Sequence, residues 1–343
     1  MPITSDDIAD LIIASTKDLG RLAWTDLSGD LQEYIALPNV LRNERVTFSS
    51  GQGIQWNLMT DSNGQAKNKG LFEPDDYNVK DVMTTANIPW RHSNTNYAIE
   101  EREMSMNAAG INRVLDLVKT RRSASMIDLA KLMETNFWGK PPSSSDPLIP
   151  YGIDTWDVRN AVTGFNGGNP AGFSSGVGGI SSVTQPRWRN YTAQYVNITK
   201  ADLIKLWREA ATKTFFRPAI EMPNYNKGSR YGYYMNYDVL GELESILEDQ
   251  NENLGVDVAS MDGQVMFRRT PCTWVPQLDA DTQDPVYGIN WGVFYACFLE
   301  GEYLREGKPR TAPDQHRTQV VDIDLTYNWK CTDRRRLFII NKA

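Results

Sequence analysis

Apolar positions recur at three- and four-residue steps over one long stretch of the chain. In NAAGINRVLDLVKTRRSASMIDLAKLMETNF, residues 107–137, one face carries Ile111, Val114, Leu115, Val118, Ser125, Leu129, Leu132, Met133 and Asn136/Phe137. No proline and, after Gly110, no glycine interrupts it. The spacing predicts a helix roughly 40 Å long at ~1.5 Å per residue, far beyond a common helix. Arg121 and Arg122 fall on its flank, where solvent or an ion pair suits them.

The period changes to two at the C-terminal end. Val321, Ile323, Leu325, Tyr327, Trp329 and Cys331 alternate with Asp322, Asp324, Thr326, Asn328 and Lys330. This predicts a strand of roughly 36 Å at ~3.3 Å per residue. Arg334, Arg335 and Arg336 follow, then Leu337 to Ile340 as a last short strand. A second alternating region lies at 44–100. Ile54, Trp56 and Leu58 form one arm, and Ile88 and Trp90 the other, with Tyr97 and Ile99 after it. Between the arms, TDSNGQAKNKGLFEPDDYNVKD has the Asn, Gly and Asp content of turns. The pattern predicts a long two-stranded excursion with a solvated tip. Such a hairpin is marginal in water alone and needs a surface to lie on.

The remaining segments are less regular. Ile8, Leu11, Ile12, Ser15, Leu19 and Leu22 predict an acidic amphipathic helix starting near Ser5, followed by a partly extended segment to Pro38. Residues 139–190 hold KPPSSSDP and GFNGGNPAGFSSGVGG and read as loop. Ordering so much Gly and Ser is costly without a function or a partner. A phosphate cradle would require G-x-x-x-x-G-K-[ST], which is absent. PRWRN at 186–190 reads as a loop anchor against a neighbour. Residues 199–216 predict a helix capped by Thr199, with Leu203, Leu206, Trp207, Ala210 and Phe215 on its apolar face. A third helix is predicted over 237–250. Asn236 to Gly263 carries eight carboxylates and neither Lys nor Arg. It lacks the alternating ligand pattern of an EF-hand loop and reads as a solvated acidic face rather than a cation site.

Composition narrows the function. The 343 residues carry a formal charge of −7, which argues against tight non-specific nucleic-acid binding. Eleven Phe, 15 Tyr and 10 Trp give the chain capacity for a large core or large interfaces. Cys272, Cys297 and Cys331 form no C-x-x-C pair, and unpaired thiols fit a reducing compartment. Neither a signal peptide nor a membrane-length apolar run is written here. His92 and His316 have no metal-ligand spacing, and no nucleophile elbow or dinucleotide fingerprint occurs. Carboxylates would permit a glycosidase, but no spacing singles out a pair. The expectation is no enzyme, no cofactor and no metal site.

The order of these elements resembles the major capsid proteins of tailed bacteriophages, the Hong Kong 97 type. The terminal strand TQVVDIDLTYNWKCTDRRRLFIINK is the most telling piece. The resemblance implies an α+β fold with an N-terminal arm at 1–43 and an extended loop at 44–103. A peripheral domain with the spine helix and the Gly-rich loop would occupy 104–193. An axial domain would occupy mainly 194–293, and strands returning to the peripheral domain 294–343. It implies pentamers and hexamers of an icosahedral head enclosing weakly held double-stranded DNA, in a virion assembled in the bacterial cytoplasm. Copies of the chain are the expected partners, with scaffold, portal and decoration proteins beside them and no membrane. The absence of a long charged segment before the arm implies a separate scaffold, a cleaved precursor, or none. Some members crosslink a loop Lys to a neighbour's Asn. Lys67 and Lys69 lie near the expected tip, but no partner Asn is assignable. The residues expected at contacts between copies are Trp56, Lys67, Lys69, Arg187, Trp188, Arg189, Arg334, Arg335 and Arg336. An encapsulin-type nanocompartment shell, another virion component such as a tail or portal subunit, and a carbohydrate-active enzyme are the competing readings.

Overall fold

The computed structural model describes residues 34–41, 46–49, 51–71, 80–106, 111–215, 231–251, 265–268 and 270–343. The helix expected from Ser5 to Leu22 lies outside them, as do the carboxylates Glu252, Asp257 and Asp262.

In chain order come helix α1 (Ala36–Leu41), strands β1 (Val46–Phe48), β2 (Gly53–Met59), β3 (Met83–Pro89) and β4 (Arg91–Glu100), and helices α2 (Glu101–Met106), α3 (Ile111–Trp138) and α4 (Ile153–Trp156). Next are β5 (Gly164–Gly167), β6 (Asn190–Tyr195), α5 (Leu203–Thr214), β7 (Tyr231–Met235) and α6 (Tyr237–Asn251). The rest is β-structure: β8 (Met266–Phe267), β9 (Thr270–Trp274), β10 (Val286–Asn290), β11 (Phe294–Leu299), β12 (Arg305–Glu306), β13 (Arg310–Ala312), β14 (Gln315–Cys331) and β15 (Phe338–Lys342). The described residues mix helices with three sheets.

β14 organises the first sheet. Its apolar positions are buried, and ten of its residues pair antiparallel with β4, from Thr318 opposite Glu100 to Tyr327 opposite Arg91. β11, β12 and β13 line its other edge, and β1 adds to β11 in parallel. The strand begins six residues before the alternating apolar run, because QHRTQV is exposed or half-exposed throughout and leaves no two-residue imprint. The long helix α3 packs Leu129, Met133, Phe137 and Trp138 into the same core. Phe137 sits among Trp138, Trp291, Phe294 and Trp329, with ring centroids 5.3–5.6 Å away. Leu132, expected on the buried face, is 43% exposed, whereas Glu134 is wholly buried.

The second sheet runs β5-β6-β15-β10-β7-β9-β8. Alternate side chains of a strand point to opposite faces, and here both faces are covered. Tyr234, Tyr287, Ile289 and Ile339 join the core under α3. Tyr233, Met235, Val286, Phe338 and Ile340 face the opposite way and pack with Trp207 of α5 and Val239 and Leu243 of α6. The last strand belongs to this sheet and not to the first. β15 lies between β6 and β10 in the second.

Other expectations shift locally. The segment at Pro38 is helical rather than extended. α5 starts at Leu203, not after Thr199. The Asp202 carboxylate faces backward and accepts from the amides of Val196 and Asn197. Phe215, placed on its apolar face, is 50% exposed.

Candidate assembly surfaces

β2 and β3 form the expected excursion, a two-stranded sheet in register from Gly53–Pro89 to Met59–Met83. Near its base Ile54, Ala86 and Ile88 are buried. At its far end the cross-strand pair Met59 and Met83 is exposed, Leu71 is almost fully so, and residues 62–70, with Lys67 and Lys69, are exposed throughout. Met59, Met83 and Leu71 thus stand as exposed apolar side chains on a two-stranded unit that is marginal alone.

The Gly-rich segment is the seat of this excursion. Gly178, at φ +69°, packs directly under Ala86: a Cβ there would lie 3.3 Å from that of Ala86. Gly152 lies against the carbonyls that end α3, where a Cβ would meet the Gly139 oxygen at 2.2 Å. Close approach requires glycine at 152, and the left-handed backbone under a tight Ala86 contact favours it at 178. Trp188, Trp156, Val177 and Ile180 bury themselves in the main core beneath.

Each expected contact residue now has a place. Trp56 is half-buried at the base, its ring centroid 6.2 Å from that of Trp156. Lys330 projects its ammonium over the rings of Tyr295, Phe48 and Trp56 at 5.5, 5.7 and 5.8 Å. This cation–π cage joins β1, β2, β11 and β14 at the root of the excursion. Arg187 is exposed and reaches Asp61 at 3.7 Å, while Asp61 also pairs with Lys80. Trp188 is buried and donates its indole N–H to the Val177 carbonyl at 3.1 Å. Arg189 donates to the Ser182 carbonyl at 3.0 Å. The PRWRN group thus anchors its own chain.

The arginine triplet also turns inward. Arg334 has no exposed surface, so it cannot touch another copy. Its guanidinium donates to the carbonyls of Trp156 (2.8 Å), Trp188 (2.9 Å), Gly168 (3.0 Å) and Gly167 (3.4 Å) and to Asn190 Oδ1 (3.1 Å). Arg335 holds Asp333 through two bonds of 3.0 and 3.1 Å, and Arg336, largely buried, lies 3.6 Å from the same carboxylate. Of the nine expected residues, Lys67, Lys69 and Arg187 are exposed, Arg335 is partly so, and Trp188 and Arg334 are sealed inside.

Asn190 passes this knot on to Asp157, donating to its Oδ1 at 2.5 Å. Asp157 is wholly buried and its Oδ2 has no hydrogen-bond partner. Burial pushes its carboxyl well above the ordinary 3.8, with Arg334 opposing that shift. From about pH 4 upward the unfolded chain releases a proton that the native chain keeps, so this group lowers stability as pH rises. Asp157→Asn removes that loss. Urea midpoints at about pH 5 and about pH 8 will show the variant gaining on the wild type as pH rises. A variant that loses ground with pH would mean that Asp157 is ionised against Arg334.

Among the described residues no group of three His, Cys, Asp or Glu side chains is placed to hold a metal ion. The thiols of Cys272 and Cys297 are buried, and burial pushes both up to about 12, away from nucleophilic use. His92 is engaged with Thr326 Oγ1 at 2.8 Å. No described helix is long and apolar enough to cross a membrane. Residues missed by sequence reasoning are Lys330, Glu134 and Asp157. Only Lys330 left a signal, as a polar position flanked by Trp329 and Cys331 in the terminal strand.

No protein-family model and no curated protein matches the sequence. Solved structures do. A chain of the cyanophage A-1(L) capsid asymmetric unit superposes with a TM-score of 0.59 at 14% identity, covering 95% of this chain and 98% of that one. A chain of the capsid of a native GTA particle gives 0.53 at 10% identity, over 95% and 97%. The procapsid of satellite phage P4 that includes the size determination (Sid) protein contains a chain matching at 0.52 and 11% identity, over 100% and 92%. At such identities the likeness is one of fold, and it runs along nearly the full length of both partners. The chain has the fold of phage capsid proteins.

Proposed function

We propose that this chain is the structural subunit of a phage head, assembling into pentamers and hexamers of an icosahedral shell around double-stranded DNA. The observation that carries the reading is a capsid fold matched over almost the whole chain, together with an excursion whose distal apolar side chains the chain leaves open. In this reading the β14 sheet with α3 is the peripheral body. The outer face of the second sheet, with α5 and α6, is the axial region that gathers copies around a symmetry axis. The excursion lies across a neighbour and covers Met59, Met83 and Leu71, extending contact area without thickening the wall. A net charge of −7 suits a container that holds DNA weakly. Scaffold, portal and decoration proteins are the further partners of such a shell.

Sedimentation of particles containing the chain, followed by nuclease treatment, tests this. Fast-sedimenting particles holding nuclease-protected DNA are expected. A co-purifying enzyme in place of DNA would assign the shell to a nanocompartment. Glycan hydrolysis by a monomer, abolished by one carboxylate substitution, would overturn the reading.

A further inference from the structure

The two helices on the outer face of the second sheet carry opposite charge. On α5 the exposed positions include Lys205, Arg208 and Lys213. Its carboxylates are engaged locally, Glu209 with Lys213 at 2.6 Å and Asp202 with two backbone amides. Neither Lys205 nor Arg208 closes an ion pair within 4 Å among the described residues, and Lys205 acts on Glu209 only through its field. Exposed Arg268 adds to this side, its guanidinium bonded to Thr212 Oγ1 at 2.8 Å. On α6 the exposed charges are Asp238, Glu242 and Glu244, and the helix contains neither Lys nor Arg. Lys342, which feels the fields of Asp238 and Glu242, is itself bound to Asp284 at 2.8 Å.

The helices also occupy different places on the sheet. α5 packs mainly over β6 and β15, its Trp207 reaching across to Tyr233 of β7 and Phe267 of β8, and α6 packs over β9. Each face carries one exposed aromatic residue, Phe215 beside the end of α5 and Tyr237 at the start of α6, and aromatic residues are favoured in interfaces.

We propose that the basic face of α5 and the acidic face of α6 are the two halves of one contact between successive copies of this chain. Copies standing side by side in the same orientation bring the basic side of one to the acidic side of the next. Such a contact joins unlike patches, so repetition by rotation closes a ring. A twofold contact would set like charges together, which repel. The proposal rests on the shell reading and names the contact within its rings.

Charge reversal in the full chain tests it. One variant carries Lys205→Glu and Arg208→Glu, a second Glu242→Lys and Glu244→Lys, and a third all four. These positions are exposed, and circular dichroism checks that each variant folds. Either reversed pair alone is expected to lower the yield of sedimenting particles at least about tenfold. The fourfold variant is expected to recover most of it, since every copy again offers unlike faces. Normal yield from the singly reversed chains, or no recovery in a folded fourfold variant, overturns the contact and leaves the shell reading intact. A wild-type chain that forms no particles removes both.

Discussion

Arg334→Met will cost the fold about 3–5 kcal/mol, since it strips the charged donor from four buried carbonyls and the Asn190 amide oxygen at once. The four carbonyls that Arg334 binds belong to residues 156, 167, 168 and 188, so one guanidinium gathers points spread over most of the Gly-rich segment. Methionine fills similar volume but leaves those oxygens buried without a donor. Burial lowers the guanidinium pKa to about 10, so Arg334 is still charged at neutral pH, facing these oxygens and the Asp157–Asn190 pair. Set against a total stability of about 5–15 kcal/mol, the loss is large. Denaturant unfolding will show a lower midpoint, and limited proteolysis will cut within 157–189, where the segment loosens. Arg334→Lys retains the charge but not the fork of donors, and will recover less than half of the loss. Because that segment seats Ala86 through Gly178, particle yield will fall with stability. An unchanged midpoint for Arg334→Met would show that the knot is not what orders the segment.

Glu134→Ala will free the 34–41 segment at a cost of about 3 kcal/mol, since it removes a buried acceptor shared by four donors and leaves those N–H groups unsatisfied. Glu134 Oε1 accepts from the amides of Ile35 (3.1 Å) and Ala36 (2.7 Å) and from the Trp138 indole (2.9 Å), and Oε2 from the amide of Leu37 (2.9 Å). The next residue, Pro38, has no amide hydrogen to satisfy. One carboxylate therefore serves the free donors that open α1 and lies at their positive end. Hydrogen exchange resolved to residues 34–41 will show protection falling there, while β14 keeps its own. Glu134→Gln will lie between, because its amide group must set a donor against one of these N–H groups. Unchanged protection in the alanine variant would contradict this account.

The elements that the sequence revealed are those with one buried face. In α3 and β14 burial recurs with the period of the backbone, so Leu129, Met133 and Phe137, or Ile323, Leu325 and Tyr327, could be placed from spacing alone. The excursion was legible for the complementary reason, two alternating arms around a polar tip. What escaped depends on distant acceptors. Nothing local distinguishes buried Arg334 from half-exposed Arg335, since the difference lies in carbonyls some 146–178 positions away. Glu134 looked like one more polar position of a helix, although its partners lie almost 100 residues earlier. Sheet membership is hidden in the same way. Leu337 to Ile340 reads as a strand, but apolarity on both faces does not say that its neighbours are β6 and β10. The glycines of 139–190 marked a segment needing support, and the structure supplies it from the chain's own core and excursion.

Electron microscopy of particles formed by the full chain tests the central claim most directly. The account predicts closed shells of uniform size whose averages resolve five- and six-membered units, with residues 53–89 of each copy lying over its neighbour. A monodisperse 38.8 kDa monomer that forms neither rings nor shells under any condition would contradict it.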